Sequence, residues 1–310
     1  MRRARRQVTR ARLSLAACRR QRGVALVLVL WILLLVSIST SAYTLMARMD
    51  LLEAHTMMSS TRARMAAEAG LSVAALYLQD PDELTRLVPD GRAYLLTFQD
   101  VSIEIRITDE RGKLDLNSAD EPTLQRLFVN NGLDDQDATY LAAAVLDWAD
   151  PDEIERANGA EAETYYAAGL QVGPGNRRFV MVEEILQVLG MPWELYREIE
   201  PGLSVHSNQG TPDAAYAPLE ALLALPDMTE EDARNFIEER QSQEAGSGLG
   251  ATLPSGEVAM AQGRGVTYSI VAKATLPNGI WDQIEATISF GGNPSGLPYR
   301  ILRWREGFHQ

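Results

Sequence analysis

The spacing of apolar and polar positions changes several times along the chain, and each spacing predicts an element. Val24–Ala47 (VALVLVLWILLLVSISTSAYTLMA) carries no charge over 24 residues. As a helix rising about 1.5 Å per residue it spans about 36 Å, enough to cross a bilayer. From Arg48 to about Gln79 charges return, but Leu51, Leu52, Met58, Met65, Ala69, Val73, Leu76 and Tyr77 recur at roughly 3.6-residue spacing. No Pro interrupts this stretch, Gly70 is its weak point, and Pro81 ends it. The two stretches predict one long helix, apolar at first and amphipathic later, whose second half packs on a sheet. Tyr94–Phe98 and Val101–Thr108 alternate with period two around a tight turn at Gln99-Asp100. Val266–Leu276 and Ile280–Phe290 flank Pro277-Asn278-Gly279, a hairpin signal, and a short strand is expected at Tyr299–Trp304. Residues from about 117 to 240 read as helical. The order is helix, strands, helical insert, strands, an α+β arrangement. Gln241–Gly265, rich in Gly and Ser, reads as a mobile loop returning to the sheet.

The insert carries a weak internal repeat at an offset of 95 residues. Ala119, Leu124, Leu127, Phe128, Leu133 and Ala138 match Ala214, Leu219, Leu222, Leu223, Met228 and Ala233, with a related pattern at Ile185, Val188, Leu189 and Met191. Each unit reads as helix, sharp turn, helix. Such hairpins can grip nucleic-acid phosphates through a glycine-hydrophobic-glycine turn. Here the turns read Asn-Asn-Gly-Leu, Leu-Gly-Met-Pro and Leu-Pro-Asp-Met, flanked by Asp134, Asp135, Asp137, Glu230, Glu231 and Asp232. Acids at those positions repel phosphate, so the units read as packing modules and no nucleic-acid partner is expected.

Charge adds a compartment argument. The net charge is −13, yet residues 1–23 hold nine Arg and no acid. Removing those nine from the 29 basic residues leaves 20 against 42 acidic ones. A basic arm before an apolar helix and an acidic body places the N-terminus in the cytoplasm and the body on the far side of the membrane, which is the periplasm if the source is a diderm bacterium and the membrane its inner one. A cleaved secretory signal would have a shorter apolar core. A plain signal anchor fits. So does a prepilin leader, because Arg22-Gly23 stands at the cytoplasmic edge with Val24 opening the apolar run; cleavage after Gly23 would start the mature chain at Val24. The single cysteine, Cys18, would leave with that leader. With one Cys and three His (His55, His206, His309), neither an internal disulfide nor a structural zinc site is expected.

Candidate chemistry is confined to one acidic loop. A helix over Leu141–Trp148 should end before Pro151, which biases Asp150 out of helical geometry. Asp147, Asp150 and Asp152 then cluster at a helix C-terminus, where acids oppose the macrodipole. Glu153, Glu161, Glu163 and Asn176 follow. Hard oxygen ligands without His or Cys suit calcium, although the spacing is not that of an EF-hand. On spacing alone the simpler reading is a solvated acidic loop. Paired carboxylates could also serve acid–base work, but no substrate-pocket signature accompanies them, and no enzymatic activity is expected.

Four stretches together resemble the general secretion pathway protein K family, the large minor pseudopilins of the type II secretion system. They are the junction Arg22-Gly23-Val24 leading into ALVLVLWILLL; Asp109–Ala119 (DERGKLDLNSA); Leu146–Asp152 (LDWADPD) followed by Gly159-Ala160-Glu161; and Val182–Leu186 (VEEIL) with Gly190-Met191. The long leader departs from the family, and Tyr165–Asn176 lacks a Pro-Pro-Tyr-like run. The resemblance implies a type IV pilin-like fold, a long N-terminal helix packed on an antiparallel sheet, with a large inserted α-helical domain. The layout it implies is a cleaved leader (1–23), a transmembrane half-helix (24–47), a pilin-like helix and first strands (48–116), the insert (117–240) and a loop with the C-terminal strands (241–310). It implies a subunit at the pseudopilus tip that initiates assembly and supports export across the outer membrane. Its partners would be the other minor pseudopilins, the major pseudopilin and the prepilin peptidase. It also implies calcium in the α-domain, carried over to Asp147, Asp150, Asp152, Glu161 and Asn176. Major pilins carry Glu at the fifth mature position, where it is thought to pair with the neighbouring subunit's N-terminal amine; here that position is Leu28. A subunit without the carboxylate needs no partner above it, and the bulky insert would clash with one. The competing expectation is a signal-anchored periplasmic hydrolase or ligand-binding sensor.

Overall fold

The computed structural model describes residues 22–82, 85–243, 250–261, 263–291 and 296–307. The arginine-rich arm up to residue 21, with Cys18, lies outside them, as does His309. The chain divides into two compact units, residues 1–58 and 59–310. Helix α1 (Arg22–Leu78) contains the uncharged run. Among the described residues it is the one helix long and apolar enough to cross a membrane, with a mean hydropathy of 2.6 over its most apolar window, none of which is buried.

In the body, α1 from Ser59 onward buries Ala63, Ala66, Ala67, Leu71, Ala74, Ala75 and Leu78 against the sheet. This corrects the stripe read from the sequence. Met65, Ala69, Leu76 and Tyr77 are exposed and Val73 is half-buried. The reason is the closeness of helix and sheet. A Cβ on Gly70 would stand 2.7 Å from Ile103 Cγ2, so the packed face admits only small residues around Leu71. Gly70 is therefore a contact point more than a weak point.

Strands β1 (Asp90–Phe98) and β2 (Val101–Asp109) form the first hairpin, turning at Gln99-Asp100. The chain then leaves the sheet through β3 (Leu114–Asp115), α2 (Glu121–Asn130), α3 (Asp135–Ala149), α4 (Ala162–Ala167), α5 (Trp193–Ile199), β4 (Leu203–Ser204), α6 (Leu219–Leu222) and α7 (Glu230–Ser242). Short strands β5 (Ala251–Thr252) and β6 (Val258–Ala259) pair with each other within the stretch expected to be a plain mobile loop. The chain returns as β7 (Thr267–Thr275), β8 (Trp281–Ser289) and β9 (Arg300–Glu306). The sheet is antiparallel in the order β1-β2-β7-β8-β9, so neighbours β2 and β7 are separated in sequence by the whole helical insert. Period-two alternation puts Ile103, Ile105, Ile107, Ile270, Ala272, Ile284, Ala286 and Ile288 on the face covered by α1.

Two helical hairpins appear where the repeat predicted them. Asp120 and Asp134 cap α2 and α3 by accepting from Thr123 and Asp137 N–H groups, and Thr229 caps α7. The middle unit differs, because Val182–Gln187 winds as a 3-10 helix before α5. Leu124, Leu127, Phe128, Leu141, Val145, Trp148, Ile185 and Ile199 form one core of the insert; Leu222, Leu223, Met228 and Phe236 belong to a second. Arginines on β9 tie the insert to the sheet, with Arg303 and Arg305 reaching Glu200 at 2.8 and 2.7 Å.

Candidate metal centre

The acidic loop begins where α3 stops. Asp147 faces inward from the last turn of α3 and is fully buried. Asp150 adopts φ −81° and ψ 160°, the extended geometry that Pro151 favours, and the helix ends there. The following residues fold back over Asp147. Its Oδ1 accepts from Arg156 Nη1 at 2.6 Å, and its Oδ2 accepts from the backbone N–H groups of Arg156 at 3.2 Å and Ala160 at 2.9 Å. The wrap is tight enough to require glycine: a Cβ on Gly159 would fall 1.9 Å from Asp147 Oδ2.

Around this fixed carboxylate the chain leaves oxygens without partners. Asp150 Oδ2 accepts from Arg156 Nη1, while its Oδ1 is buried and unpartnered. Glu161 is 5% exposed, and neither of its carboxylate oxygens has a hydrogen-bond partner. It sits at the N-terminus of α4 without capping it. Burial, then the charges of Asp147, Asp150, Glu153 and Asp152, push its pKa up to about 6. Asn176 holds a left-handed backbone (φ 46°), and its Oδ1 is likewise buried without a partner. Among the described residues, five buried side-chain polar atoms lack a hydrogen-bond partner, and four of them are these oxygens; the fifth is Arg240 Nε, which has Asp90 Oδ2 at 3.8 Å. Orphaned buried acceptors cost free energy and are rare, so four from the expected ligand set are informative.

Asp152 behaves differently. It is exposed, and its Oδ1 accepts from the Ile154 N–H at 2.9 Å, closing a local turn. Among the described residues no three Asp, Glu, His or Cys side chains are gathered into a ready-made metal cage. The donor set nevertheless fits a hard divalent cation: it is all oxygen, acidic and under-satisfied. The residues of the expected processing junction lie elsewhere. Gly23 and Val24 are in the first turn of α1, and Leu28 follows with its side chain exposed.

Sequence reasoning missed four supports. Arg156 is the one basic residue among seven acids from Asp147 to Glu163, and that isolation was a usable signal. Glu155 accepts from Thr164 Oγ1, also within the loop. Trp148 stacks on Phe179 with centroids 4.2 Å apart and planes 15° apart. Asn117 pairs with the Phe179 backbone in both directions, donating from Nδ2 at 3.0 Å and accepting at Oδ1 at 2.7 Å. That pair holds the far end of the 150–180 loop against the start of the insert, and nothing local in the sequence announces it.

The family model described as "Type II secretion system (T2SS), protein K" matches residues 106–208. The type II secretion system protein K of Klebsiella pneumoniae is 30% identical over 250 residues, 71% of this chain and 76% of that protein. The protein of the same name from Pectobacterium carotovorum subsp. carotovorum is 28% identical over 167 residues, 52% of this chain and 50% of that protein. Among solved structures, a chain of the GspK-GspI-GspJ complex from enterotoxigenic Escherichia coli superposes with a TM-score of 0.51 at 15% identity, over 85% of this chain and 99% of that one. At that identity the likeness speaks for the fold.

Proposed function

The chain belongs to the type II secretion system protein K family and is a minor pseudopilin of that system, and from this premise we propose that it caps the pseudopilus tip and initiates its assembly. The observation that carries this reading is the interruption of the pilin-like sheet: β2 and β7 are hydrogen-bonded neighbours, yet a whole helical body is inserted between them. Such bulk argues against another subunit stacking on this one. Leu28 argues the same way. With cleavage after Gly23 it is the fifth mature residue, and it offers no carboxylate for a neighbour's terminal amine. The basic arm lies in the cytoplasm, α1 anchors the chain in the inner membrane before assembly, and the body occupies the periplasm. Its partners are two further minor pseudopilins, as GspK assembles with GspI and GspJ, then the major pseudopilin below; the prepilin peptidase processes it. The role is structural, without catalysis.

We assign calcium to the acidic loop. Asp147, Asp150, Glu161 and Asn176 would hold it, with Asp152 contributing charge from the rim. The ion would supply positive charge and acceptor-satisfying coordination to carboxylates that the chain leaves crowded.

Co-expression with a prepilin peptidase and the two partner pseudopilins tests the tip reading. The expected result is a chain starting at Val24 that purifies in a stoichiometric complex. A chain still starting at Met1, or a processed chain that stays alone, overturns it.

A further inference from the structure

Arg156 stands where a cation at this loop would act. Its Nη1 is 2.6 Å from Asp147 Oδ1 and also pairs with Asp150 Oδ2. The two carboxylates that the calcium reading needs are thus both engaged by one guanidinium. That engagement is partial by chemistry. A guanidinium brings one charge and only donors, and it leaves Asp150 Oδ1 and both Glu161 oxygens without partners. A divalent cation could serve all of them, but it would compete with Arg156 for Asp147 Oδ1 and Asp150 Oδ2, and like charges cannot share those oxygens cheaply. The geometry leaves the guanidinium a way out. Its side chain is 39% exposed, whereas Asp147 is not exposed at all. The loop does not depend on the guanidinium for its path, because the Arg156 and Ala160 backbone N–H groups hold Asp147 Oδ2 independently.

We propose that Arg156 is an internal competitor for the calcium site, neutralising Asp147 and Asp150 when no divalent cation is bound and withdrawing to solvent when one binds. The proposal rests on the calcium reading above and adds to it. Arg156 lowers the affinity of the site, neutralises its carboxylates at low calcium, and turns binding into an exchange of one cation for another at a fixed carboxylate.

Calcium titration of the full chain in detergent tests this, read by terbium luminescence sensitised through Trp148 and by competition with Ca²⁺. Arg156→Gln should bind Ca²⁺ about tenfold more tightly than the wild type, the scale of one partly exposed charge-assisted pair removed from competition, and should melt at a lower temperature in chelator. Arg156→Lys, which keeps the charge but loses the fork, should fall between. Unchanged or weaker binding by Arg156→Gln overturns the proposal, since Arg156 would then be a support that stays in place beside the metal. Absence of binding by the wild type and every variant is a different failure: it removes the calcium reading itself, and the competitor with it. Should Arg156→Gln not fold, the wild type decides. The Nη–H resonances of Arg156, whose Nη1 pairs with Asp147 and Asp150, should lose protection from solvent exchange as Ca²⁺ is added, and unchanged resonances overturn the exchange.

Discussion

Two buried glutamates in this chain have opposite surroundings. Glu110 lies where the sheet meets the insert, just after β2, and is 3% exposed. Lys113 Nζ is 2.9 Å from its Oε1, Ser269 on β7 donates to the same oxygen at 2.6 Å, and Ser204 on β4 donates to Oε2. Burial pushes its pKa up, but Lys113 and the two hydroxyls outweigh burial, and the net direction is down. Glu161, 5% exposed in the acidic loop, has no partner for either oxygen and is pushed up to about 6. Both side chains expose little surface to water, so exposure alone does not distinguish them. The difference is who supplies the positive charge. At the junction the fold brings its own lysine, because strands from both ends of the chain must be locked together. In the loop the fold leaves the carboxylate set open, as suits a cation from outside.

The largest expected effect tests the closed set. Glu110→Ala leaves Lys113 buried without its counter-charge and should cost about 3–5 kcal/mol of stability. Urea unfolding of the full chain in detergent should give the same loss with calcium or with chelator. A loss that depends on calcium would erase the contrast between the two regions.

The next effect tests the open set. Calcium at about 100 times its dissociation constant should stabilise the wild type by about 2.7 kcal/mol. For a body of this size that corresponds to a rise of about 5–10 °C in Tm. Glu161→Gln should remove that gain while costing little in chelator, because it takes one charge out of a crowd. A wild-type melting curve indifferent to calcium would mean that the orphaned oxygens serve no ion.

Most of the fold was legible because it follows from short-range periodicity. The hairpin at Pro277-Asn278-Gly279 lies between β7 and β8, which begin and end within one residue of the expected strands. The end of α3 before Pro151 was likewise a local effect of the proline. The failures have a common cause. The stripe of large apolar residues on α1 does not mark its packed face, because contact with Ile103 demands glycine and alanine there. The pairing of β5 with β6 and the clasp between Asn117 and Phe179 depend on residues brought together only by the folded chain. In the acidic loop the residue types were legible and their inequality was not. Asp147, Asp150 and Asp152 look alike in sequence, yet one is wrapped, one is half-satisfied and one is turned outward.

A smaller effect separates the two glutamates by pH. The folded-state pKa of Glu110 lies below its ordinary value of 4.5, so its contribution to stability is full above that value and is lost as pH falls through the depressed one. Acid unfolding of Glu110→Gln should therefore be shallower below pH 4.5 than that of the wild type, in chelator throughout. Parallel acid limbs would mean that Lys113 and the two serines do not hold the charged form.

The smallest effect sharpens the metal set itself. Asp152→Asn keeps the Oδ1 that accepts from Ile154 N–H, so the local turn survives, and it removes one exposed charge near Glu161. An exposed charge acting across solvent is worth about 0.5 kcal/mol, a two- to threefold loss of calcium affinity. Asp150→Asn removes charge from a carboxylate whose Oδ1 is buried and unpartnered, and should cost tenfold or more by the scale of a direct charge-assisted contact, about 1.4 kcal/mol. Calorimetric titration of the two variants side by side ranks them. Equal losses would place Asp152 in the coordination shell and require the outward turn to reverse on binding; unequal losses in the expected order keep it as a distant charge.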